Sequence, residues 1–230
     1  MKKIGLIGGM SWESTAIYYE LLNKIIKTKR GGFHSAHCIL ESLDFAEIEY
    51  YQKHNDWEKL NTEMAVAAEN LENAGAELII LCTNTMHLCA DHIKNNITIP
   101  FLHIAEATGS AIKKQEIDKV LLLGTKFTME RDFYKHILKE QFNIEVLIPS
   151  ASDRDIIHNI IYGELVHGII TEKSRAAYQN IIEKSITKGA KGVVLGCTEI
   201  PLLIKQNDCS IPIFDTTTIH AQEAVEFAML

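Results

Sequence analysis

Cys197 stands in Gly196-Cys197-Thr198-Glu199, directly after the apolar run Gly192 to Leu195. A thiol between a strand and a helix start meets backbone amides and a positive helix end, which favour thiolate and lower a value that is ordinarily about 8.5. The stretch Gly75-Ala76-Glu77-Leu78-Ile79-Ile80-Leu81-Cys82-Thr83-Asn84 reads like Gly189-Ala190-Lys191-Gly192-Val193-Val194-Leu195-Gly196-Cys197-Thr198. Cys197-Thr198 then aligns with Thr83-Asn84. Inversion at an α-carbon needs a base on one face and an acid on the other, and two similar half-sites can supply such a pair. Cys197 and Thr83 are therefore the expected catalytic residues. Asn84, Thr85, Thr125 and Thr198 are of types that stabilise a carboxylate on which charge develops, and N-capping would use the same hydroxyls.

These residues need strand ends to hold them. Lys3 to Ile7, Ser35 to Leu43, Glu77 to Leu81, Val120 to Leu123, Glu145 to Ile148 and Gly192 to Leu195 read as strands, and Ile99-Pro100 and Ile211-Pro212 each open a short apolar one. Helices are expected between them, among them Trp57 to Ala74, Phe127 to Gln141, Lys173 to Lys188 and Thr218 to Leu230. Strands alternating with helices predict an α/β fold with parallel, doubly wound sheets. The repeat predicts two pseudo-symmetric domains: 1–98 plus 212–230, and 99–211. Ligands of such sheets bind beyond the carboxyl ends of strands, which places the expected site in a cleft between the domains.

Composition excludes other classes. The 230 residues are 47% hydrophobic, with formal charge −7 and scattered Lys and Arg, so no nucleic-acid footprint is present. No window reaches the about 18 apolar residues of a membrane span. Met1-Lys2-Lys3 precedes too short an apolar run for a signal peptide, so the cytoplasm is expected. Five scattered cysteines are not a disulfide framework. Gly5-x-x-Gly8-Gly9 lacks the dinucleotide spacing, and His87, Cys89, Asp91 and His92 form no tetrahedral metal set. Tyr50, Tyr51 and Trp57 near Gln52 read equally as a lid or as packing, and His220 as a core histidine.

Ile4-Gly5-Leu6-Ile7-Gly8-Gly9-Met10, Cys82-Thr83-Asn84-Thr85-Met86-His87, Leu122-Leu123-Gly124-Thr125 and Gly196-Cys197-Thr198-Glu199 together resemble the aspartate/glutamate racemase family. The resemblance implies a cofactor-independent amino-acid racemase without pyridoxal group or metal, and usually a homodimer. It implies that Met10, Gln52 and Glu199 join Asn84, Thr85, Thr125 and Thr198 in binding substrate. Thr83 stands where the family has a cysteine, and Cys82, one residue early, is expected to be buried because strand neighbours face opposite sides. Ile48 and Val166 stand where basic residues often hold carboxylates, so Gln52 and local amides must substitute. Threonine in the first loop with cysteine in the second is similar to the L-aspartate/glutamate-specific branch. Alternatives are an amino-acid-binding relative that has lost one catalytic arm, or an enzyme for a related substrate such as a hydantoin or maleate.

Overall fold

The computed structural model describes residues 1–230. Its strands are β1 (Ile4–Gly8), β2 (Cys38–Ser42), β3 (Leu78–Leu81), β4 (Phe101–Leu102), β5 (Lys119–Gly124), β6 (Glu145–Leu147), β7 (Val193–Gly196) and β8 (Ile213–Asp215). They form two parallel four-stranded sheets, ordered β2-β1-β3-β4 and β6-β5-β7-β8. The repeat seen in the sequence is thus a repeat of topology. Parallel pairing requires a crossover between neighbours, and helices supply it.

The chain divides into two compact units, Met1–Ile104 with His220–Leu230, and Ala105–Ile219. Both Ile-Pro strands therefore fall on the other side of the expected boundaries at 98/99 and 211/212. The reason is the ladder: β4 bonds to β3, and β8 bonds to β7. The final helix, Thr216–Met229, starts in the second unit and ends in the first.

Strand alternation sorts the first unit's core onto two faces. Ile7, Ile79 and Leu81 pack with Leu60, Met64 and Leu71 of helix Trp57–Asn73. Ile4, Leu6, Leu78, Ile80 and Cys82 pack with Tyr18, Leu22 and Ile26 of helix Trp12–Arg30, and with Ala221, Ala224, Val225 and Ala228. The last four follow the i, i+3, i+4, i+7 stripe of a helix buried on one side. In the second unit Leu121, Leu123, Val193 and Leu195 pack with Ile157, Tyr178 and Ile181.

The loop after β1 is tight enough to need glycine. A side chain on Gly8 would meet Thr15 Cγ2 at 2.5 Å and Leu40 Cδ1 at 2.9 Å. Gly9 has φ +89°, a region that costs other residues strain, and a Cβ there would run into the Leu43 backbone. The Gly9 N–H donates to Thr15 Oγ1 at 2.8 Å, and Ser11 caps helix Trp12–Arg30. The expected single helix Phe127 to Gln141 is two, Lys126–Glu130 and Asp132–Phe142, because Arg131 is extended (φ −72°, ψ 155°). No helix is long and apolar enough to cross a membrane.

Candidate active site

Strand registers fix which loop positions correspond. Ile7 pairs with Leu81 in the first sheet, and Leu123 with Leu195 in the second. Two residues beyond those strand positions lie Thr83 and Cys197. Thr83 therefore occupies in the first unit the place that Cys197 occupies in the second, as the sequence alignment predicted.

In the second unit, Gly124 and Gly196 are paired, so Thr125 and Cys197 leave neighbouring strands side by side. The Cys197 thiol donates to Glu199 Oε2 at 2.8 Å, and the Thr198 hydroxyl donates to the same oxygen at 2.8 Å. Cys197 keeps partial solvent access, whereas Cys82 and Cys89 are buried. Burial, then the Glu199 charge and its bond to the thiol, hold the Cys197 pKa well above the ordinary range. The amides of Glu199 and Thr198 pull the other way and are outweighed. The expected depressed thiol is thus corrected. A turn follows Cys197, and the helix beyond it, Ile200–Leu203, has four residues and little dipole to offer. Thr125 is an N-cap, accepting from the Thr128 N–H at 3.3 Å.

Tyr178, near Cys197, and Glu164, near Tyr178, have no signature in the sequence. The Tyr178 phenol is held well above its usual pKa by burial, then by the charges of Cys197, Glu164 and Glu199. Glu164 accepts from Ser174 Oγ at 2.6 Å and Thr171 Oγ1 at 3.3 Å. Both are remote from Cys197 in sequence, and no spacing links them to the cysteine loop. Glu199 is thus the carboxylate at the cysteine, and Glu164 the one at Tyr178.

In the first unit, Cys82 packs on the same face as Leu78 and Ile80, and burial raises its pKa strongly. Thr83 is half-buried, Asn84 is buried, and a 3₁₀ turn, Thr85–Cys89, follows. The Thr83 carbonyl accepts from His87 Nδ1 at 2.8 Å. Gln52, at the end of helix Phe45–Lys53, is buried and directs Nε2 to Met86 Sδ at 3.0 Å. A thioether is a weak acceptor for an amide, so this N–H can exchange it for a better one. Met10 is in the core with Ile7, Leu81 and Met86 rather than displayed as a side chain. His220 is buried, as expected. Gln52, Met10 and the Thr83–Met86 loop thus meet in one unit, and Thr125, Cys197, Thr198 and Glu199 in the other.

The model of the Asp/Glu/hydantoin racemase family matches residues 7–224. The chain belongs to this family. It is 50% identical to a Yersinia pestis protein whose crystal structure was described as a candidate Asp/Glu racemase, with TM-score 0.96 over 100% of both chains. It is 38% identical to an aspartate racemase homologue from Pyrococcus horikoshii OT3, with TM-score 0.89 over 100% of both chains. The broad specificity amino-acid racemase RacX of Bacillus subtilis (strain 168) is 23% identical over 233 residues, 96% of each chain. This racemase-family enzyme has the two-sheet α/β architecture of those structures.

Proposed function

We propose that the chain is a cofactor-independent racemase of L-aspartate or L-glutamate in which Cys197 removes the α-proton. The observation that carries this is the matched loop position of Thr83 and Cys197, with Glu199 bonded to the thiol. Glu199 takes the thiol proton, and the thiolate so formed takes the α-hydrogen of the substrate. The electron pair left at carbon spreads into the α-carboxylate, where N–H groups at Asn84, Thr85, Thr198 and Glu199 oppose the developing charge. Thr83, or a water that it holds, returns a proton to the opposite face. Gln52 replaces its bond to Met86 with one to a substrate carboxylate. Glu164 provides negative charge for the substrate ammonium. A threonine hydroxyl is a poor acid near neutral pH, so return from the D-enantiomer is slower than exchange of the L-enantiomer. Within this reading the protein works in the cytoplasm as a homodimer.

The test is deuterium entry at the α-carbon of L-glutamate and L-aspartate in D₂O, followed by chiral analysis. Wild type should exchange, and Cys197→Ser should lose about 100-fold or more, the scale of a proton-transfer group. Exchange indifferent to that substitution removes the mechanism. Thr83 favours one second reading, an amino-acid-binding relative; tight binding with no exchange decides for it. A panel containing a hydantoin and maleate separates related chemistries.

A further inference from the structure

Three buried histidines, His87, His103 and His220, meet behind the Thr83 loop. Ring centroids of His87 lie 4.5 Å from His103 and 5.8 Å from His220. The backbone partners of His87 fix its tautomer. The Ile104 N–H can only donate, and it reaches His87 Nε2 at 3.2 Å. Nε2 is therefore bare, and Nδ1 carries the proton that goes to the Thr83 carbonyl. His220 is fixed in the opposite sense. Its Nε2–H donates to the Leu102 carbonyl at 3.0 Å, and its Nδ1 accepts from the Tyr18 hydroxyl at 2.9 Å. Ile104 is the last residue before the chain leaves the first unit, and His220 is the first on its return.

We propose that His87 is the positioning residue of Thr83, its ring clasping the Thr83 carbonyl to the Ile104 amide. The catalytic consequence rests on the reading of Thr83 given above; the clasp itself does not. The loop after Thr83 does not run directly into an α-helix. It continues as five residues of 3₁₀ turn, whose hydrogen bonds are poorer than those of an α-helix. The second unit manages the matching place differently. Pro201 stands four residues after Cys197, as His87 stands four after Thr83. There the residue that matches Ile104 by register, Thr216, uses its own hydroxyl on the Leu195 carbonyl at 2.9 Å. The ring clasp is thus a property of the threonine side alone. Burial keeps its members uncharged: His87 is held well below its ordinary pKa, His103 at about 3 and His220 at about 4. Proton delivery requires a donor within hydrogen-bond reach, about 2.6–3.2 Å, and a misplacement of about 1 Å can cost on the order of 100-fold.

The experiment compares His87→Leu, which can make neither bond, with His87→Gln, which carries both a donor and an acceptor. Amide hydrogen exchange at Ile104 and across residues 83–89 reads the clasp without reference to activity. The ratio of D-product formed to deuterium entering L-glutamate reads its effect on the threonine face. His87→Leu should speed exchange at Ile104 at least about 10-fold and lower the ratio about 10- to 100-fold. His87→Gln should recover both. A general loss of structure would lower both rates together and leave the ratio alone. Unchanged amide protection in His87→Leu overturns the clasp, and an unchanged ratio overturns its positioning role. Wild type that shows no deuterium entry sinks the racemase reading instead, and the amide measurement still decides the clasp.

Discussion

Lowering the pH from 7.5 to 5.0 should weaken the first unit by at least about 4 kcal/mol. His103 is held at about 3 and His220 at about 4 by burial first, His103 also by the Lys94 charge. The unfolded chain offers the same side chains an ordinary value of about 6.5. Below that value the unfolded state binds protons that the folded state refuses. The stability these histidines confer is thus complete above about pH 6.5 and is lost as the pH falls toward about 4. Integrating from 6.5 to 5.0 gives about 2 kcal/mol for each histidine, and His87 adds to the loss with the same sign. Carboxylates pushed down by their partners, such as Asp153 beside Lys184, titrate below this window. Both tryptophans, Trp12 and Trp57, lie in the first unit, so their fluorescence during urea unfolding follows that unit. His220→Gln should cut the pH dependence by about a third to a half, whatever it costs at pH 7.5. Stability that stays level within about 1 kcal/mol between pH 7.5 and 5.0, or a slope untouched by His220→Gln, would refute the reasoning.

Glu199→Gln should separate two roles of that carboxylate. Loss of its charge should speed alkylation of Cys197 at neutral pH, because the charge helps to keep the thiol protonated. Loss of the proton acceptor should slow α-deuterium entry about 100-fold; if both rates rise, Glu199 is not the base. Gly9→Ala should lower the urea midpoint by the equivalent of about 1–3 kcal/mol, because the new methyl meets the Leu43 backbone. Gly31→Ala shares the positive φ but has no neighbour within 4 Å; its cost should stay near about 1 kcal/mol.

Sequence periodicity located the strands because each is a short apolar run closed by a turn or a Gly, and the doubling showed because β3 and β7 keep their residue types. Which unit received each Ile-Pro strand was not legible, since that depends on hydrogen-bonding partners rather than on the strand itself. The break at Arg131 was hidden because nothing about an arginine forbids helix. Cys197 and Thr83 were legible as a pair through alignment, and the registers agree. The state of the thiol was not legible. Position after a strand argues for depression, and the sequence does not reveal that Glu199 turns back onto the sulfur. Tyr178, Glu164 and the partners of His87 are gathered by tertiary packing, so local spacing carries no trace of them.

The final helix gives synthesis a direction. Residues 105–219 leave the ribosome with their whole unit in hand, but the first unit still lacks Ala221, Ala224, Val225 and Ala228 for one face of its sheet. The Lys2 N–H, made before the second unit, waits for the carbonyl of Ala228, made after it. The half that emerges first is therefore the half finished last. Part of one sheet face stays uncovered until residues 220–230 have followed the second unit out.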